Sequence, residues 1–154
     1  MSETPVAAEA TLTAPHVLEY AYTRSVGPIV GRFLAGLRDG KLLGIKTRSG
    51  RVIVPPLEYD PDTADALDEL VEVGQSGVVT TWTWTNEARP HQPLDKPFAW
   101  ALIKLDGADT AMLHAIDARD ESRMATGMRV RVRWRAERKG ELSDLECFEP
   151  EEES

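Results

Sequence analysis

Phe98-Ala99-Trp100-Ala101-Leu102-Ile103-Lys104-Leu105 is a near-continuous apolar run, Asp106-Gly107-Ala108-Asp109 is a turn, and Thr110 to Ile116 is a second apolar run. Two runs of strand length around Asp and Gly read as a β-hairpin, the clearest one in the chain. Upstream, Val71 to Val73 and Gly77 to Thr85 read as a strand or bulged pair, in which Val79, Thr81, Thr83 and Thr85 alternate with Val78, Thr80, Trp82 and Trp84. Asn86 to Lys96, interrupted by Pro90 and Pro93, cannot continue that strand and reads as a loop. Downstream, Asp117 to Gly127 is polar, with room for one helical turn. Met128 to Arg135 then alternates strictly, which puts Met128, Val130, Val132 and Trp134 on a buried face and Arg129, Arg131, Arg133 and Arg135 on the other. Lys139-Gly140 marks a turn and Leu142 to Phe148 a last strand. Five strands, a long loop after the first and a short helical turn between the third and fourth predict a mainly β chain built on a five-stranded OB-fold barrel.

Ahead of the barrel, Ser25 reads as an N-cap and Pro28 as part of a first helical turn, with Ile29, Phe33, Leu34 and Leu37 at helical spacing up to Gly40. Leu42 to Ile45 and Arg51 to Val54 form a second hairpin, ended by Pro55-Pro56. Residues 1–16, rich in Ala, Thr, Glu and Pro, read as a mobile leader, and 150–154 as an acidic tail unable to join a core. The expected organisation is leader 1–16, helix and hairpin 17–66, OB-fold 67–149 and tail 150–154.

At 154 residues, 42% hydrophobic and 29% charged, the chain can bury a single core. No apolar stretch is long enough to span a membrane, and the acidic start lacks the basic region of a secretory signal, so a cytoplasmic protein is expected. One cysteine, Cys147, provides neither an internal disulfide nor a thiolate zinc site. A net charge of -8 disfavours a general nucleic-acid binder. The charge is uneven: Leu57 to Gln75 holds seven carboxylates and no basic residue, and Arg123 to Lys139 seven basic residues against Glu137 alone.

No nucleophile–base, metal-ligand or phosphate-loop spacing occurs, and no catalytic or metal-binding residue is assigned. His16, His91 and His114 are scattered, and His114 reads as a half-buried strand residue. Cys147, beside Glu146, reads as a packing residue. Trp134 reads as core, whereas Trp82 and Trp84 are either core or a platform on which a base or adenine stacks. The arginine row is either a solvated, edge-protecting face or a docking face for an anionic partner or the phosphates of a nucleotide such as coenzyme A.

The order Phe33 to Leu42, Gly50-Arg51-Val52-Ile53-Val54-Pro55-Pro56, Pro97 to Asp106 and Gly127 to Val132 resembles the acyl-CoA-associated family with a rubredoxin-like zinc ribbon followed by an OB-fold, domain of unknown function 35. The family's two C-x-x-C knuckles fall on Lys46 and Ser49 and on Asp60 and Thr63, so the resemblance implies a degenerate, metal-free ribbon-like hairpin. It further implies a non-catalytic accessory subunit of a thiolase-like or lipid-transfer-protein-type aldolase, in a hetero-oligomer that acts in steroid side-chain degradation. The expected partner-binding residues are Phe33, Leu34, Leu37, Pro55 and Pro56. Trp82, Trp84, His91, Arg129, Arg131 and Arg133 are the expected contacts to a coenzyme A thioester shared with the partner, no cofactor being held tightly. The rival reading is an OB-fold binder of single-stranded nucleic acid.

Overall fold

The computed structural model describes residues 13–151; most of the leader and Glu152 to Ser154 of the tail lie outside the described residues. Helix α1 spans Pro28–Arg38, and Pro28 starts it because its missing N–H has no partner to lose there. Ser25 is not the cap. The residue before the helix, Gly27, offers no side chain, and the cap comes from the acidic segment: the Glu58 carboxylate accepts the N–H groups of Ile29 and Val30, each at 3.0 Å. That bond satisfies two orphan donors, places negative charge on the positive helix end and ties the Pro55–Tyr59 loop to the helix. The spacing i, i+4, i+8 buries Ile29, Phe33 and Leu37.

Strands β1 (Leu43–Lys46) and β2 (Val52–Ile53) form the expected antiparallel hairpin, with Ile45 opposite Ile53. A third strand, β3 (Leu70–Glu72), pairs with the other edge of β1 and completes a three-stranded ribbon sheet. The run around Val71 therefore belongs to the ribbon rather than to the long strand that follows it.

That strand, β4 (Ser76–Thr85), opens the barrel, followed by β5 (Phe98–Leu105), β6 (Ala111–Ile116), β7 (Arg129–Trp134) and β8 (Leu145–Pro150). The order is β4-β5-β6-β8-β7, closed by pairing of β4 with β7; only β6 and β8 run parallel. Gly77 faces both neighbours, and a Cβ there would lie 2.5 Å from the Lys104 carbonyl, so the barrel closes only around a bare backbone. A bulge between Val79 and Thr81 bends β4. The connection from β6 to β7 holds one 3₁₀ turn, Glu121–Arg123, where the sequence left room for it. A second 3₁₀ turn, Leu142–Asp144, occupies the first residues of the expected last strand. One core joins the two halves: Phe33, Leu37, Leu42 and Val54 pack with Val79, Ile103, Met112, Ile116, Val130 and Phe148.

The four positions that the resemblance matched to zinc ligands do not fit the metal. The Lys46 ammonium pairs with Glu69 at 3.1 Å, the Ser49 hydroxyl bonds to that of Thr47 at 3.0 Å, and Thr63 bonds to Asp65 at 3.0 Å. Among the described residues no group of three or more His, Cys, Asp or Glu could hold a metal ion. Asp60 makes the cross-link instead. Buried, its carboxylate accepts the N–H of Arg48 at 2.8 Å from the first turn and that of Asp62 at 2.9 Å from the second.

Those bonds from Arg48 and Asp62 hold the Asp60 carboxyl below its ordinary 3.8. Its stabilisation is therefore complete above the unfolded value and is lost as pH falls through 3.8 toward the folded one. Asp60→Ala is expected to lower the melting temperature at pH 7 by on the order of 5 °C, with the gap narrowing below about pH 4. Melting curves across pH check this; a gap unchanged in acid would contradict the staple.

Candidate functional site

The alternation of β7 aims Arg129, Arg131 and Arg133 outward as expected, but the row is largely neutralised. Arg129 forks onto Asp106 at 2.6 and 2.7 Å and reaches Glu151 at 3.1 Å. Arg131 meets Glu149 across the strand pair at 2.9 Å. Arg133 bonds Asp117 at 3.0 Å and Glu146 at 2.9 Å. Arg131 has its carboxylate directly across the strand pair, as a cross-strand ladder favours; Arg133 stands opposite Cys147 and reaches its partners diagonally on β8 and at the end of β6.

Asp117, at the end of β6, is buried, and its Oδ2 accepts Lys96 at 2.8 Å as well as Arg133. Burial pushes its carboxyl up, and the hydrogen bonds from Lys96 and Arg133 outweigh burial and hold it below the ordinary value. Around this pair lies a cavity of about 390 Å³ lined by Lys96, Arg119, Arg123, Arg131 and Arg133 with Asp117 and Glu149. The sequence reading singled out Arg131 and Arg133; it missed Lys96, Arg119 and Arg123, which come from two separate loops. The Asp120 carboxylate accepts the Ser122 N–H at 2.9 Å and so fixes the 3₁₀ turn that carries Arg123.

Trp82 and Trp84 are half-buried: they pack on the barrel core and keep part of their surface on grooves. Trp84 also lines a groove of about 620 Å³ with Trp100 and the Thr85–Gln92 loop. Trp134 is half-buried, its indole N–H bonded to Gln75 at 2.9 Å. Trp100 is half-buried, edge-on to Phe98 at 5.2 Å. With His91, Pro93, Leu113 and Leu142 it lines an apolar groove of about 370 Å³. His91 is exposed at φ 71°, whereas His114 is buried edge-on to Phe148 at 5.7 Å. The His114 Nδ1 has no hydrogen-bond partner, and burial lowers the ring's pKa below 6.5. Buried Cys147 has its thiol pushed up to about 11, chiefly by burial, which suits packing rather than reaction.

The expected partner-binding set needs correction. Phe33 and Leu37 are 3% and 0% exposed and belong to the chain's own core, because the ribbon and barrel close over the apolar face of α1. Leu34 is half-buried and Pro56 buried, leaving Pro55 exposed. Apolar surface is instead open on the segment before the helix, which forms neither helix nor strand: Leu18, Tyr20 and Tyr22 are 66–81% exposed. On the barrel, Leu113 and Leu142 are at least half exposed. No helix among the described residues is long and apolar enough to cross a membrane.

A closed five-stranded barrel with one parallel contact, between its third and fifth strands, defines an OB-fold protein, here with a three-stranded ribbon ahead of it. Residues 70–135 match the family model described as ChsH2, C-terminal OB-fold domain. The chain is similar in structure to a chain of the solved "Ltp2-ChsH2(DUF35) aldolase", with a TM-score of 0.61 at 18% identity over 83% of this chain and 98% of that one. It is also similar to a protein of unknown function from the DUF35 family of Sulfolobus solfataricus, with a TM-score of 0.56 at 23% identity over 70% of this chain and 77% of that one. No curated protein matches it in sequence. The resemblance to the domain-of-unknown-function-35 family is thereby borne out in the barrel's sequence and in the fold.

Proposed function

We propose that this chain is a non-catalytic accessory subunit that binds and stabilises a thiolase-superfamily acyl-CoA enzyme, of the kind that cleaves steroid side chains, and helps to form its acyl-CoA channel. The observation that carries the reading is the likeness to a chain of the Ltp2–ChsH2 aldolase along 98% of that chain's length, together with the ChsH2-type barrel signature at 70–135. Two physical features support it. Leu18, Tyr20 and Tyr22 present large apolar surface that the chain itself leaves uncovered, as a segment that a partner covers would. Among the described residues, His114 is buried with its Nδ1 unbonded and Cys147 is buried as a thiol, so neither stands as an exposed base or nucleophile.

In this arrangement the partner performs the carbon–carbon bond chemistry. Of the expected coenzyme A contacts Trp82, Trp84, His91, Arg129, Arg131 and Arg133, His91 borders the apolar groove and Arg131 and Arg133 the charged cavity, the two openings at which the thioester would meet this chain. The nucleic-acid reading has less support, because β8 carboxylates neutralise the β7 arginines and the Trp82 and Trp84 rings lie against the core. Offered acyl-CoA or aldol thioesters, the isolated chain is expected to show no turnover, and adding an Ltp2-type subunit to restore it. Robust aldolase or hydrolase activity without a partner would overturn the accessory role.

A further inference from the structure

Five cations converge on one cavity of a chain whose net charge is -8. Lys96 comes from the loop before β5, Arg119 and Arg123 from the connection between β6 and β7, and Arg131 and Arg133 from β7. Asp117 and Glu149 in the wall, with Glu146 beside it, balance Lys96, Arg131 and Arg133 and leave the charge of Arg119 and Arg123 uncompensated. Asp117 and Glu149 engage Lys96, Arg131 and Arg133, which fixes those three as oriented donors, whereas among the described residues Arg119 and Arg123 enter no ion pair. Arg119 also sits at φ 70°, in the left-handed region that glycine occupies freely and a long side chain occupies with strain. Strain of that kind on a residue lining a charged cavity points to a binding role.

We propose that this cavity is a phosphoryl-binding site: Arg119 and Arg123 carry the uncompensated charge and clamp the oxygens of a phosphate ester, and Lys96, Arg131 and Arg133, held in place by their carboxylates, line the rest of the wall as N–H donors. Guanidinium forks match phosphate oxygens two at a time, and the space of about 390 Å³ is that of a small-molecule site rather than a flat protein interface. The site deepens the coenzyme A contact proposed above and rests on that reading only for what the phosphate is attached to. It belongs to this chain alone, so a test on the isolated chain fails or succeeds independently of any partner.

The test is calorimetric titration of the full-length chain at low salt with two probes, inorganic pyrophosphate and adenosine 3′,5′-bisphosphate. Saturable binding is expected, weakened by added salt. Arg119→Gly and Arg123→Glu are each expected to weaken it roughly tenfold or more. Arg51→Glu, which makes the same charge change as Arg123→Glu on the ribbon hairpin outside the cavity, is expected to leave it unchanged. Arg119→Gly doubles as a folding control, because glycine relieves the left-handed backbone and the melting temperature is not expected to fall. Equal affinity for the two probes assigns the site to the phosphoryl group itself, and tighter binding of the bisphosphate assigns it to a nucleotide. Absence of saturable binding by either probe, or equal weakening by Arg51→Glu, would overturn the proposal.

Discussion

Leu37→Ala is expected to destabilise the chain by about 2–5 kcal/mol, the range for deleting a fully buried leucine side chain and leaving a cavity. Leu37 is 0% exposed, near the end of the apolar stripe of α1, and shares a core cluster with Leu42, Val54 and the barrel residues. Its loss therefore loosens the contact through which helix, ribbon and barrel act as one body. Urea unfolding of the isolated chain measures it, as a lower midpoint at unchanged slope. An interface role for Leu37 makes the opposite forecast, in which the isolated chain keeps its stability and only the complex suffers.

Replacing Leu18, Tyr20 and Tyr22 together with serine should give the reverse pattern. All three are largely exposed, so the isolated chain's stability should stay within roughly 0.5 kcal/mol of the parent for each change. The three lie within five residues of one another, which makes them one exposed apolar segment. If that segment supplies anchors to the aldolase subunit, affinity should fall roughly 30-fold or more, as for loss of one strong interface anchor. Surface-immobilised partner with the variant in solution reads this directly; undiminished affinity would remove the segment from the interface.

Much of the barrel is legible in the sequence because its strands carry their own periodicity. The hairpin from Phe98 to Ile116 and the alternation from Met128 to Arg135 need only local rules, and both appear where those rules put them. What fails locally is any contact made at long range. Ser25 looks like a cap, yet the carboxylate that caps α1 is Glu58, 29 residues beyond Ile29. Val71 reads equally well in either sheet, since a three-residue run carries no signal of its neighbour.

The site follows the same division. Arg131 and Arg133 could be placed on the outer face from spacing alone, but not the β8 carboxylates that pair with them, because register between β7 and β8 is set by the closed barrel. Lys96, Arg119 and Arg123 lie in loops with no periodicity, and only the barrel brings them to one cavity. Periodicity likewise marked Phe33 and Leu37 as an apolar face without saying what would cover it. The chain's own barrel does, which moves the search for a partner surface to the segment before the helix.

Co-expression with an Ltp2-type aldolase subunit, followed by size-exclusion chromatography and a thioester aldol assay on each fraction, tests the accessory role most directly. The expected result is a stoichiometric co-eluting complex that carries the activity, with none in fractions of this chain alone. A chain that elutes by itself beside every such subunit offered, and that turns over a thioester unaided, would contradict it.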